Sequence, residues 1–160
     1  MSTTLGSNAA SATLSDIPGT HTDLVLVTEG RANTTLGFQG LGIYFNGTDS
    51  TTNYSGTLLY GTGSTAASER YSNVAILGVG LLGPSNGDRG QGIAHIMSYA
   101  NTNVFKTVVS ARSYAPGQVS RFVGLWRSTS AITSITLREY NNSHQLLSGM
   151  TISLYGIKAA

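Results

Sequence analysis

The chain contains no cysteine. Disulfides and thiolate metal sites are therefore excluded, and the redox compartment cannot be read from the sequence. Charge is scarce as well: Asp, Glu, Lys and Arg make up 10% of the residues, against about 25% in an average soluble domain. The polar surface has to be built from Ser, Thr, Asn, Gly and Tyr, which makes it neutral, rich in hydrogen-bonding groups and weakly repellent toward a neighbouring molecule. The formal net charge is +2. Lys and Arg nowhere cluster, so a nucleic-acid partner is not expected. No segment approaches the ~18 consecutive apolar residues of a membrane span. The stretch Met1-Ser2-Thr3-Thr4-Leu5 lacks the basic and apolar regions of a signal peptide. The expectation is synthesis in a host cytoplasm, with any route outside running through assembly onto a particle released by lysis.

What is present points to β structure. A chain of 160 residues fits one domain and buries roughly 70% of its unfolded surface without staples. Twenty glycines spread along it argue against long helices. Short β-branched or alternating runs occur at Asp23–Thr28, Gln39–Asn46, Thr57–Tyr60, Ser72–Val79, Ile93–Tyr99, Val104–Arg112, Ser120–Arg127, Ile132–Glu139 and Thr151–Ile157. Asn46-Gly47, Gly61-Thr62-Gly63, the loop Gly83–Gly90, Asn101-Thr102-Asn103, Pro116-Gly117, Ser128-Thr129-Ser130 and Asn141-Asn142-Ser143 punctuate them. Turn signals at about 8–12-residue spacing belong to sandwiches and barrels. The expected fold is an antiparallel β-sandwich or jelly-roll of about eight short strands. Only Ala66-Ala67-Ser68-Glu69-Arg70 offers a single helical turn. Several strands carry apolar residues on both faces, which implies that an outer face is covered, for instance by a neighbouring subunit. Residues 1–20 read as an extended N-terminal arm, with Leu5, Leu14 and Ile17 too widely spaced for a core element, and residues 21–160 as the sandwich domain. The arm is read either as a disordered tail or as a segment that orders against a partner.

Motifs with chemical meaning are few. Gly78-Val79-Gly80-Leu81-Leu82-Gly83 matches a dinucleotide-binding pattern, but Pro84 and four turn formers follow where that pattern needs a helix. It is read as a strand end and loop. His21, His95 and His144 share no ligand spacing. His95, among Ile93, Ala94, Ile96 and Met97, is read as a hydrogen-bonded core or interface residue. The seven acids fall mostly in or beside loops. No nucleophile elbow is present, and catalysis has no positive support. Asp49 and Asp88 offer oxygen ligands for calcium, with plain turn chemistry the stronger reading. Four Asn-x-Ser/Thr triplets, beginning at Asn33, Asn46, Asn53 and Asn141, are read as by-products of composition. Trp126 and Tyr155 are assigned to the core, while Tyr54, Tyr71, Tyr99 and Tyr114 suit either core or interface. No cofactor is expected.

Two stretches carry a family likeness. One runs from Phe45-Asn46-Gly47 through Asn53-Tyr54-Ser55 to Leu59-Tyr60-Gly61-Thr62-Gly63-Ser64, with Ser68 and Ser72. The other is Gly124–Leu137, followed by Ser148-Gly149 and Thr151–Ile157 with its Leu154-Tyr155-Gly156-Ile157 ending. Together, over roughly Leu24 to Ile157, they resemble a family of tailed-phage virion surface proteins. The resemblance implies a jelly-roll on a virion, plausible as a homotrimer, and supplies no catalytic residues. With no stalk ahead of the module, it implies a capsid decoration (cement) protein on the outer capsid surface, with the major capsid protein as partner. The expected contacts with capsid or neighbouring subunits are Leu5, Leu14, Ile17 and Pro18 in the arm, together with His95 and Tyr99. The alternative is a receptor- or carbohydrate-binding head module of a tail or head fibre; a polysaccharide depolymerase is the remote third.

Overall fold

The computed structural model describes residues 1–47 and 52–158. Every regular element in it is a strand. The strands are β1 (Ser2–Thr4), β2 (Ser11–Leu14), β3 (Asp23–Gly30), β4 (Gln39–Phe45), β5 (Tyr54–Gly61), β6 (Ala66–Val74), β7 (Leu77–Leu82), β8 (Gly90–Met97), β9 (Lys106–Tyr114), β10 (Gln118–Trp126), β11 (Ile135–Glu139) and β12 (Thr151–Ile157). They form two antiparallel sheets: a large one of eight strands in the order β1-β12-β3-β8-β9-β10-β5-β6, and a small one of four in the order β2-β11-β4-β7. The expected β-sandwich of the jelly-roll kind is thus present, with twelve strands among the described residues rather than about eight.

The difference arises in two places. The single run expected over Ser72–Val79 is broken at Ala75-Ile76, where the chain leaves the large sheet as β6 and enters the small sheet as β7. The expected helical turn at Ala66–Arg70 is the first half of β6, paired residue by residue with β5. Pairing with an available strand outweighs the weak helical preference of five residues. The second place is the arm. Residues 1–20 are extended, but against the chain's own body. β1 pairs with β12 and β2 with β11. Between and beyond these strands, Leu5 N–H donates to Met150 O (2.9 Å), Ala9 and Leu146 exchange both backbone bonds, and Ile17 N–H donates to Thr133 O (3.0 Å). Leu14 and Ile17 point into the core. Their wide spacing reflects a segment that crosses from one sheet to the other: β1 sends no side chain into the core, β2 sends Leu14, and Ile17 follows it in the crossing.

The core lies between the sheets. From the large sheet it takes Leu24, Leu26, Ala94, Ile96, Val108, Phe122, Ile152 and Leu154, and from the small sheet Leu41, Ile43, Phe45, Leu77, Val79, Ile135 and Leu137. Period-two alternation puts these side chains on the inner faces. Trp126 sits in an aromatic cluster with Phe45 (ring centroids 5.2 Å) and Tyr54 (6.3 Å, stacked). Tyr54 also accepts the Phe45 N–H at its hydroxyl (2.9 Å), so a tyrosine left open between core and interface belongs to the core. The assignment of Tyr155 to the core does not hold: it is 57% exposed, because its parity on β12 is opposite to that of Ile152 and Leu154.

The glycines of the dinucleotide-like stretch have a packing role. A Cβ at Gly80 would lie 2.9 Å from Thr28 Oγ1, and one at Gly92 would lie 2.2 Å from Val79 O and 2.5 Å from Gly80 Cα. The two sheets therefore touch backbone to backbone where β7 meets β8, which only glycine allows. No helix follows Gly83, as expected.

Three polar groups fix the loops at the sandwich ends. Asn46, at φ 52°, accepts at Oδ1 from Thr133 N–H (2.9 Å) and Ser134 N–H (3.2 Å), and donates from Nδ2 to Ala131 O (2.8 Å). The buried Glu139 carboxylate accepts from the backbone N–H groups of Asn141 (3.0 Å), Ser143 (2.8 Å) and His144 (3.3 Å). The buried Lys106 ammonium donates to the carbonyls of Asn101 (2.5 Å), Val104 (2.8 Å) and Thr129 (3.1 Å), and loss of water lowers its pKa.

Candidate functional site

The strands of the large sheet present one parity to the core and the other to the outside. On the outer parity, strand register aligns residues in rows. One row runs Tyr155, Val25, His95, Val109, Val123, Thr57 across β12, β3, β8, β9, β10 and β5. The next runs Val27, Ile93, Ala111, Arg121, Leu59 across β3, β8, β9, β10 and β5. Val119 (63% exposed), Leu59 (58%), Ile93 (49%) and Val123 (49%) are open to solvent. They line or border an open depression of about 840 Å³ whose walls include Val27, Ile93, Ala111, Leu59, Val119 and Arg121. The result is a largely aliphatic face, interrupted by His95, Arg121 and Thr57 within its rows and by Gln91 and Ser113 in the depression.

Polar groups are sparse on this face and mostly engaged at its margins. His95 Nε2 meets Asp23 Oδ2 at 2.9 Å, and Asp23 Oδ1 accepts the Ser98 N–H at 2.7 Å. Glu29 pairs with Arg89 at 3.4 Å. Arg121 alone stands near the centre, between Ala111 and Leu59. The aliphatic part of such a surface can exclude water against another apolar surface. Each Val, Ile or Leu fully covered contributes about 1.5–3 kcal/mol.

The residues expected to make intersubunit contacts are dispersed. Leu14, Ile17 and Tyr99 are buried inside the chain's own fold, so their side chains are closed to a partner. Tyr99 acts locally: its hydroxyl donates to Pro18 O and accepts the His21 N–H (3.3 Å), which pins the crossing between β2 and β3. Leu5 is half-buried against the core, and Pro18 is exposed. Of the set, His95 lies on the aliphatic face, as the hydrogen-bonded residue the sequence implied. The residues that form the face were not singled out individually. Their signal is present, however, in strands where apolar residues occupy both parities, such as Leu24-Val25-Leu26-Val27, Val108-Val109, Phe122-Val123 and Leu58-Leu59.

The other motifs stay apart. Among the described residues no three His, Asp or Glu come together as metal ligands. Asp88 is exposed in the loop before β8, while Asp49 and the third residue of the Asn46 triplet lie outside the described residues. Tyr114 is buried and Tyr71 half-buried. No helix among the described residues is long and apolar enough to cross a membrane.

A two-sheet antiparallel sandwich with one aliphatic outer face is the class these features define. No protein-family model and no curated protein matches the chain. Among solved structures it is similar to the galectin LEC-6 of Caenorhabditis elegans, at 7% identity over 96% of this chain and 95% of that one, with a TM-score of 0.41. It is also similar to the alginate lyase Aly36B (7% identity, 99% and 81%, TM-score 0.35). A third is the GH43 protein BlXynB from Bacillus licheniformis (12% identity, 91% and 32%, TM-score 0.40). Likenesses of this strength bear on neither ligand nor activity.

Proposed function

We propose that this chain is a structural protein of a phage virion, a decoration protein that binds the outer capsid surface as a homotrimer and stabilises the shell. The major capsid protein is its partner in this reading, and copies of the chain meet through the outer face of the large sheet. The observation that carries the self-association is the pair of aliphatic rows on β3, β8, β9, β10 and β5. A face of this kind marks an interaction surface. In a trimer each contact is heterologous, one part of this face on a copy meeting a different part on the next, and a face that is largely apolar, with Arg121 its central charge, sets few like charges against each other. The sparse overall charge supports a protein that tolerates crowded contacts on a particle. The virion assignment is supported by the strand-and-turn likeness at Phe45–Ser64 and Gly124–Ile157.

The test combines mass and occupancy. Sedimentation of the purified chain is expected to give three times the chain mass. Ile93→Glu and Val123→Glu are expected to give monomers with an unchanged β spectrum, since both side chains are half-exposed within one chain and surface changes cost within about 0.5 kcal/mol. Added to bare capsids, the unaltered protein should raise their resistance to heat, and the variants should bind with reduced occupancy. A wild-type chain that stays monomeric at high concentration overturns the self-association, and failure to bind capsids overturns the decoration role.

A further inference from the structure

The large sheet is twice as wide as the small one. At one end of it β6, the edge strand, and its neighbour β5 overhang, and part of their inner face has no sheet opposite. The overhang forms a cleft of about 320 Å³. Leu58, Tyr60, Tyr71 and Phe122 line it from the large sheet, and Phe38 and Tyr140 from the far side. Arg112 lies in its wall.

Arg112 points inward from β9 and is 7% exposed. Its Nε donates to Ser120 Oγ (3.2 Å), and its guanidinium lies over the Phe122 ring (5.6 Å to the centroid). The group passes across β7 at Gly78, where a Cβ would stand 2.5 Å from Nη1. No carboxylate among the described residues pairs with it. Its terminal nitrogens have no hydrogen-bond partner among the described residues and are not closed off from the cleft. Its titratable neighbours are the phenols of Tyr71 and Tyr140, and burial lowers its pKa. A cation in this position lacks the counter-charge that buried ions ordinarily require. A second group in the same cleft is also incomplete: the Tyr140 hydroxyl is buried and without a partner. The one nearby acid, Glu69, is held by the Tyr71 hydroxyl.

We propose that this cleft binds the carboxylate of an acidic sugar residue of the uronic-acid type, with Arg112 as the anion receptor and Tyr140 as a second hydrogen-bonding group. A planar guanidinium with two free ends matches a carboxylate in bidentate fashion. The volume suits one small ring, being near the lower end of ligand pockets at about 300 Å³. The aromatic walls of Phe38, Tyr60 and Phe122 provide flat apolar surface for the ring. Gln118, Asn141 and Glu69 supply the donors and acceptors that a polyhydroxylated body needs. Acetate and inorganic phosphate lack the ring that these walls would cover, and Glu69 opposes a second negative charge on the ligand as it does the first. The site is independent of the assembly reading, because it lies on the inner face of the sheet rather than the outer.

The test titrates the whole chain with sodium D-galacturonate, sodium D-glucuronate, neutral D-galactose, acetate and inorganic phosphate, followed by saturation-transfer NMR and calorimetry. A uronate is expected to bind saturably, with a dissociation constant on the order of 1 mM. Galactose, acetate and phosphate should bind at least about tenfold more weakly. Arg112→Gln should abolish the uronate signal. Tyr140→Phe removes only an unpartnered hydroxyl, so it should keep its melting temperature while weakening uronate binding severalfold. If Arg112→Gln does not fold, the wild-type selectivity and Tyr140→Phe still decide. Equal binding of uronate and galactose, phosphate binding as tight as uronate, absence of saturable uronate binding, or a Tyr140→Phe variant with wild-type affinity overturns the proposal.

Discussion

Glu139 shows how a single side chain holds a whole loop. Its buried carboxylate gathers three backbone N–H groups of the turn after β11, and the turn residues themselves are mostly exposed. Glu139→Ala leaves those donors to water and opens a buried site. The expected loss is about 2 kcal/mol, read as a melting temperature lower by roughly 5 °C; Glu139→Gln, which keeps an acceptor, should lose less. Tyr71 gives the pH prediction. Burial first, then its hydrogen bond to Glu69 and that carboxylate's charge, push its pKa from 10.0 to about 12. The folded chain thus holds the Tyr71 proton to a higher pH than the unfolded chain does. Its contribution to stability is intact below pH 10 and is lost as pH climbs from about 10 to about 12. Denaturation midpoints measured across that window should fall less steeply for Tyr71→Phe than for the unaltered chain. At this scale the sequence was readable where chemistry is local. Asn46-Gly47 and Asn141-Asn142-Ser143 were legible as turns because positive φ and backbone capping depend on the residue itself. The partners of Asp23, Glu139 and Arg112 were not legible. Asp23 and His95, for example, are 72 residues apart, and nothing in either neighbourhood names the other.

Elements were legible when their inner face repeats at period two over several residues, as in β9 and β10. They were misread where one element holds too few apolar residues to show a period. β2 sends Leu14 inward and little else, and β6 is an edge strand with no buried residue. Edge strands carry charge and small polar groups because an apolar edge would recruit stray partners, so Glu69 and Arg70 disguise β6 as a helical turn. The β7–β8 contact is the opposite case, in which the sequence signal was plain but its meaning was not. Glycines at alternate positions in β7 (Gly78, Gly80) and β8 (Gly90, Gly92) mark a near approach of the sheets rather than a phosphate cradle. Gly92→Ala would force a methyl group into Val79 O and Gly80 Cα. The expected cost is at least about 2 kcal/mol, with β8 and β7 the first to lose amide protection in hydrogen exchange. A glycine facing open space, such as Gly6, should accept alanine with little change.

For the whole molecule, the sandwich class followed from the spacing of turns, whereas the unequal widths of its sheets did not. Spacing counts strands but does not assign them to layers. That inequality leaves the large sheet a broad, largely aliphatic exterior and opens an aromatic cleft beneath its overhang. The two are separable by mutation. Charges placed at Ile93 should dissolve self-association and leave uronate affinity unchanged, while Tyr140→Phe should do the reverse.

The pairing of β1 with β12 sets a schedule for how the chain acquires its shape. Ser2 meets Ser153 across 151 positions of sequence, and Thr13 meets Thr136 across 123. On a ribosome β1 has no strand to pair with until β12, about 150 residues later in the sequence, has been made. β1 consequently docks only after β12 is available, and closing loops of that length places this fold among slow folders, with relaxation times of about milliseconds to seconds.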